Sequence, residues 1–106
     1  MDYRLVKIKR LVAAGRYEFT LKADLKCVAD GLTRQDVIES ILSAQFLWVK
    51  NSRSRWRPGQ RERLYIIDSF NFEGVPVYSK GVIRRIGEYE SDFYILISGK
   101  RSVASD

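Results

Sequence analysis

Hydrophobic residues recur at helical spacing through the first part of the chain, and from Phe46 onward the period falls to two. Asp2 can cap a first helix and Gly15 can end it. Leu5, Ile8, Leu11 and Val12 form the apolar stripe between them. Arg4, Lys7 and Arg10 recur every three residues on a more exposed face, which reads more readily as a solvated helix surface than as a phosphate-binding row. Tyr17-Glu18-Phe19-Thr20 reads as a short extended piece or as the approach to a second helix. Thr20 can cap that helix over Leu21 to Asp30, with Gly31 ending it and Leu21, Leu25, Val28 and Leu32 as its expected apolar stripe. Lys22 and Lys26 sit one turn apart on one face. Thr33-Arg34-Gln35-Asp36 resembles a capping box and opens a third helix with a core stripe of Val37, Ile38, Ile41 and Leu42.

Four strands follow. Phe46 to Val49, Arg63 to Asp68, Val77 to Ile86 and Asp92 to Ser98 are rich in aromatic and β-branched residues. Glu73-Gly74 and the segment Gly87 to Ser91 mark turns, and Gly81 is a candidate bulge. Short connections between strands imply an antiparallel meander. The helices come first and must cover one of its faces. The predicted fold class is α+β, with N-terminal helices packed on a four-stranded antiparallel sheet in two layers, as one domain over 1–106 with a polar tail from about Gly99. There is no sign of a repeat, a linker or a second domain.

Charge adds a partner class. The 106 residues carry 19 Lys+Arg against 13 Asp+Glu, a formal charge of +6, which favours an anionic partner. No apolar run is long enough to span a bilayer and no secretory signal is evident, so no membrane is expected and a cytoplasmic location fits. The single cysteine, Cys27, excludes an internal disulfide and a multi-cysteine zinc site. With no histidine in the chain, imidazole bases and histidine metal ligands are excluded, and no metal or other cofactor is expected. Cys27 has no histidine to activate it and reads as a small core residue.

The positive charge is concentrated between Asn51 and Arg63. Arg53, Arg55, Arg57, Arg61 and Arg63 surround Trp56 and a Pro58-Gly59 turn signal, with Glu62 the only acid. Guanidinium forks grip phosphate in a bidentate manner and an indole stacks on a base, so this stretch, a loop or a hairpin, is the candidate nucleic-acid-binding segment. So dense a run repels itself unless an anion relieves it, and that anion can be RNA or an acidic protein.

Helices followed by an antiparallel meander on a basic chain of this length resemble the RelE/ParE-like toxin superfamily. Thr20-Leu21-Lys22-Ala23 is similar to the T-x-H-A start of BrnT-like domains, with Lys22 where histidine is common. Gly31-Leu32-Thr33, Asp36 and Val37 resemble their following helix junction. Ile95 to Ser102 resembles their last strand, and Val6 to Gly15 the opening of MqsR-type toxins. The resemblance implies a toxin of a type II toxin–antitoxin system, an endoribonuclease held in check by a cognate antitoxin protein.

Metal-free RNA cleavage needs a base for the 2′-hydroxyl, cations for the phosphate and an acid for the leaving 5′-oxygen. Without histidine the candidates are Lys22, Lys80 and Lys100 as base or acid and Tyr78 and Tyr94 as base or stacking groups, with Arg84, Arg85 and Arg101 as phosphate clamps. Glu62 is either a base or a brace for its neighbours. Tyr78, Lys80 and Arg84 share one strand face, unless a bulge at Gly81 exchanges Arg84 for Arg85. The same residues also suit a non-catalytic nucleic-acid-binding module, or a protein-interaction domain with a basic face. Read structurally, they are a polar sheet surface with cross-strand tyrosines and a basic tail.

Overall fold

A computed structural model describes residues 2–57, 60–87 and 91–102, with the side chains of residues 52–61 outside that description. Three helices and five strands follow in the order α1 (Tyr3–Ala13), β1 (Tyr17–Phe19), α2 (Leu21–Ala29), α3 (Arg34–Ser43), β2 (Trp48–Arg57), β3 (Gln60–Phe70), β4 (Pro76–Ile86) and β5 (Ser91–Arg101). The sheet order is β1-β5-β4-β3-β2, with β1 parallel to β5 and every other pair antiparallel.

Local chemistry sets the helix starts. The Asp2 carboxylate accepts from the Arg4 amide at 2.9 Å, and Thr20 Oγ1 accepts from the Ala23 amide at 3.1 Å. Thr33 and Asp36 form a full capping box: Thr33 Oγ1 accepts from the Asp36 amide, and the Asp36 carboxylate accepts from the Thr33 amide. Asp36 also accepts from the Asn71 side chain at 3.1 Å, tying α3 to the β3–β4 turn.

The helices cover one face of the sheet. Leu5, Ile8 and Val12 of α1, Cys27 of α2, and Val37, Ile38 and Ile41 of α3 meet Ile67, Val77, Tyr94 and Leu96 from the strands. Ile8, Ile41 and Ile67 are fully buried, each contributing about 1.5–3 kcal/mol of transfer free energy.

Three expectations are corrected. The sheet has five strands and is mixed, because Tyr17–Phe19 pairs with Tyr94–Leu96 in parallel. The polar tail is shorter than its composition suggests: β5 runs on to Arg101, and Gly99 lies under the helices, where a β-carbon would approach Cys27 Sγ to 2.9 Å. On α2 the apolar stripe is reversed. Ala23 and Cys27 are buried, while Leu21, Leu25 and Val28 face solvent; only Leu32 of the expected stripe is in the core. Among the described residues no helix is long and apolar enough to cross a membrane.

Candidate nucleic-acid interface

Strand alternation sends every second side chain to the face that the helices leave open. On β4 these are Tyr78, Lys80, Val82 and Arg84. Lys80 pairs with Ser98, but the next ladder pair is Gly81 with Leu96, so Ile97 is an extra residue on β5. The bulge therefore lies opposite Gly81 and not within β4, and Lys80 and Arg84 keep the same face. Both line a cleft of about 360 Å³ with Ile97, Ser98, Thr20, Lys22 and Lys26. Arg85 alternates away and shares the Asp92 carboxylate with Lys7 of α1, at 3.5 and 2.7 Å.

The parallel pairing of β1 with β5 brings α2 to this cleft. The Thr20 amide donates to the Leu96 carbonyl at 3.0 Å, and the helix starts one residue later. The N-terminal end of α2, the positive end of its dipole, thus opens beside Lys22 and Lys80. Among the described residues, none of Lys22, Lys26 and Lys80 has a carboxylate within salt-bridge distance. Arg84 does: its Nε and Nη2 donate to the two Glu62 oxygens, both at 2.8 Å. This pair is part-buried. It holds the Glu62 carboxyl below and the Arg84 guanidinium above their ordinary pKa values. Glu62 is thereby a brace, fixing the guanidinium at the cleft edge.

Further along the open face, Lys100 lies over the Tyr78 ring, 5.1 Å from its centroid. Tyr78 and Lys100 are ladder partners one row beyond Lys80 and Ser98. They extend the basic surface without lining the cleft. At the other side of the sheet Trp48, paired with Ile66, is 53% exposed.

Tyr94 is displaced from its expected role. It is fully buried on the helix side, its hydroxyl has no hydrogen-bond partner among the described residues, and burial raises its pKa. A phenol so placed does not reach a substrate in the cleft. Arg101 stands exposed at the end of β5, its amide donating to Asp30 at 2.8 Å, away from the cleft. Arg63 is exposed on β3 and alternates to the face opposite Glu62. Arg53, Arg55, Arg57 and Arg61 belong by backbone to the paired strands β2 and β3, where Arg55 pairs with Arg61, so the stretch is a hairpin arm. Their side chains and that of Trp56 lie outside the described residues.

The structure thus joins Lys22, Lys80 and Arg84, leaves Lys100 on the same face, and separates Tyr94, Arg85 and Arg101 from them. It adds Lys26, Thr20 and Ser98. Lys26 was discernible from its one-turn spacing to Lys22, but Ser98 depends on the bulge and carries no sequence signal. Cys27, buried and donating to the Gly99 carbonyl at 3.6 Å, has its pKa raised by desolvation and is no nucleophile. No set of His, Cys, Asp or Glu side chains among the described residues is grouped to hold a metal. Chemically, the cleft can hold a phosphate and stabilise negative charge developing on it. No protein-family model, curated protein or solved structure matches this chain.

Proposed function

We propose that this protein binds RNA across the open face of its sheet, seats one phosphodiester in the cleft between α2 and β4, and cleaves the chain there without metal. The supporting observation is the convergence of Lys22, Lys26, Lys80 and Arg84 on one cleft, where Glu62 braces Arg84. Lys22, Lys26 and Lys80, from two elements far apart in sequence and without a salt-bridged carboxylate among the described residues, are costly to hold together without an anion to relieve them. In this reading Arg84 and Lys26 hold the phosphate, and Lys22 and Lys80, approaching from different elements, exchange protons with the 2′-hydroxyl and the leaving oxygen. The hairpin arginines carry the flanking backbone. On its resemblance to RelE/ParE-like toxins, the protein is the toxin of a toxin–antitoxin pair acting in the cytoplasm.

The test uses purified protein, single-stranded RNA and a chelator. Cleavage should leave cyclic phosphate ends. Lys80→Arg and Lys22→Arg should bind RNA but not cut it, because guanidinium holds phosphate and does not give up its proton. Burial of Tyr94 favours a second reading, a non-catalytic RNA-binding module, since it withdraws one candidate base from the open face. Salt-sensitive RNA binding without cleavage of any RNA would decide for that reading.

A further inference from the structure

Three large apolar side chains of α2 point away from the protein. Leu21, Leu25 and Val28 are 74%, 61% and 74% exposed. They follow at i, i+4 and i+7, so at 3.6 residues per turn they form one row along the helix. The exposed Ala29 widens it, and the buried Ala23 and Cys27 lie on the opposite side. Single exposed apolar residues are ordinary, but a continuous row on one helix marks an interaction surface.

The charges beside the row are unequal. Advancing 100° per residue places Lys22 and Lys26 on one flank, toward the cleft, and Asp24 on the other. Asp24 is already matched, because Arg34 donates to both of its oxygens from Nε and Nη2. The lysines have no carboxylate partner among the described residues. The flank left for a newcomer is therefore positive.

We propose that the Leu21–Leu25–Val28 row is a docking site for a helical segment of a partner protein, apolar along one stripe and acidic beside it. Apolar side chains of that segment seat between Leu21, Leu25 and Val28, and its carboxylates reach Lys22 and Lys26. A second copy of this chain fits less well. Pairing α2 with itself would bring both copies' Lys22 and Lys26 to one seam, on chains that each carry +6. The docking site itself is independent of the RNA reading, but one consequence rests on it. Lys22 and Lys26 also line the cleft, so a docked partner and RNA exclude one another.

The experiment titrates a labelled synthetic helical peptide with leucines at i, i+3, i+4 and i+7 and flanking glutamates, beside a counterpart whose glutamates are lysines. The glutamate peptide should bind the wild-type chain, the lysine peptide should not, and RNA oligonucleotide should displace the first. Leu25→Asp should weaken peptide binding by about tenfold or more, with its melting temperature near wild type because Leu25 is solvated. The uncharged Leu25→Ser should also weaken peptide binding while leaving RNA affinity unchanged. Equal peptide binding by Leu25→Asp, or none by the wild type, overturns the proposal. A wild-type dimer in sedimentation that Leu25→Asp dissociates also overturns it, by naming a second copy as the occupant. RNA binding is read on the same samples. Its failure with peptide binding intact removes the cleft reading alone, and the reverse outcome removes the docking reading alone.

Discussion

The ring of Tyr94 on β5 lies directly against the backbone of Gly81 on the neighbouring β4, beside the β-bulge. A β-carbon at position 81 would stand 2.6 Å from the Tyr94 hydroxyl oxygen and 2.8 Å from Cε1. The glycine thus makes room for the largest fully buried side chain described. Gly81→Ala should destabilise the protein by about 1–3 kcal/mol, since one of the two elements must shift. Chemical denaturation measures this, and adding Tyr94→Leu should recover part of the loss.

The Tyr94 hydroxyl is a separate matter. It is buried without a protein partner among the described residues, so Tyr94→Phe removes an unmet polar group. The variant should be neutral or stabilised within about 1 kcal/mol. RNA binding and any cleavage should be unchanged. A large loss of turnover in a well-folded Tyr94→Phe would return the phenol to the chemistry.

The cleft lysines should behave as phosphate contacts. Lys22→Ala and Lys80→Ala should each weaken RNA binding and lower the slope of log affinity against log salt by about 1. Combined replacement of Arg53, Arg55 and Arg57 should weaken binding broadly while leaving residual turnover. Filter binding across a salt series, with parallel cleavage assays, separates the two patterns.

Glu62 is the acid that braces Arg84 at the cleft edge. Its pKa is lowered by the Arg84 hydrogen bonds, so the pair contributes stability above the ordinary carboxylate range, and that contribution is lost as pH falls through the lowered value. Both side chains are partly solvated (33% for Arg84, 21% for Glu62), so the effect is small, about 1 kcal/mol or less. Glu62→Gln should remove this part of the acid sensitivity. It should also tighten RNA binding at low salt by removing a negative charge from the cleft edge. Weaker binding would mean that positioning of Arg84 outweighs charge.

Asn71 closes the turn below α3. Its Oδ1 accepts from the Glu73 and Val75 amides at 2.9 and 2.8 Å, and its Nδ2 donates to Asp36. Asn71 is buried, so Asn71→Ala leaves these groups unmet and should cost about 1–3 kcal/mol. Thermal melts should show the loss, with RNA affinity unaffected because the turn is remote from the cleft.

The sequence determined what is local. Asp2, Thr20 and Thr33 cap their own helices through bonds spanning two or three residues, and the change of period at Phe46 announces the strands. The α+β class and the stripes of α1 and α3 follow from these. The tertiary structure decided what depends on distant chain. Tyr17–Phe19 is too short to declare itself a strand and becomes one because β5 offers a parallel edge. The bulge that sets Ser98 beside Lys80 and leaves β4 regular exists only in the pairing of β4 with β5. The orientation of α2 is the clearest case. Its larger apolar residues suggest one buried face, but the helix rests on Ala23 and Cys27. Small side chains there, above Gly99, let it approach β5 closely, and that close approach turns Leu21, Leu25 and Val28 outward and Lys22 and Lys26 toward the cleft.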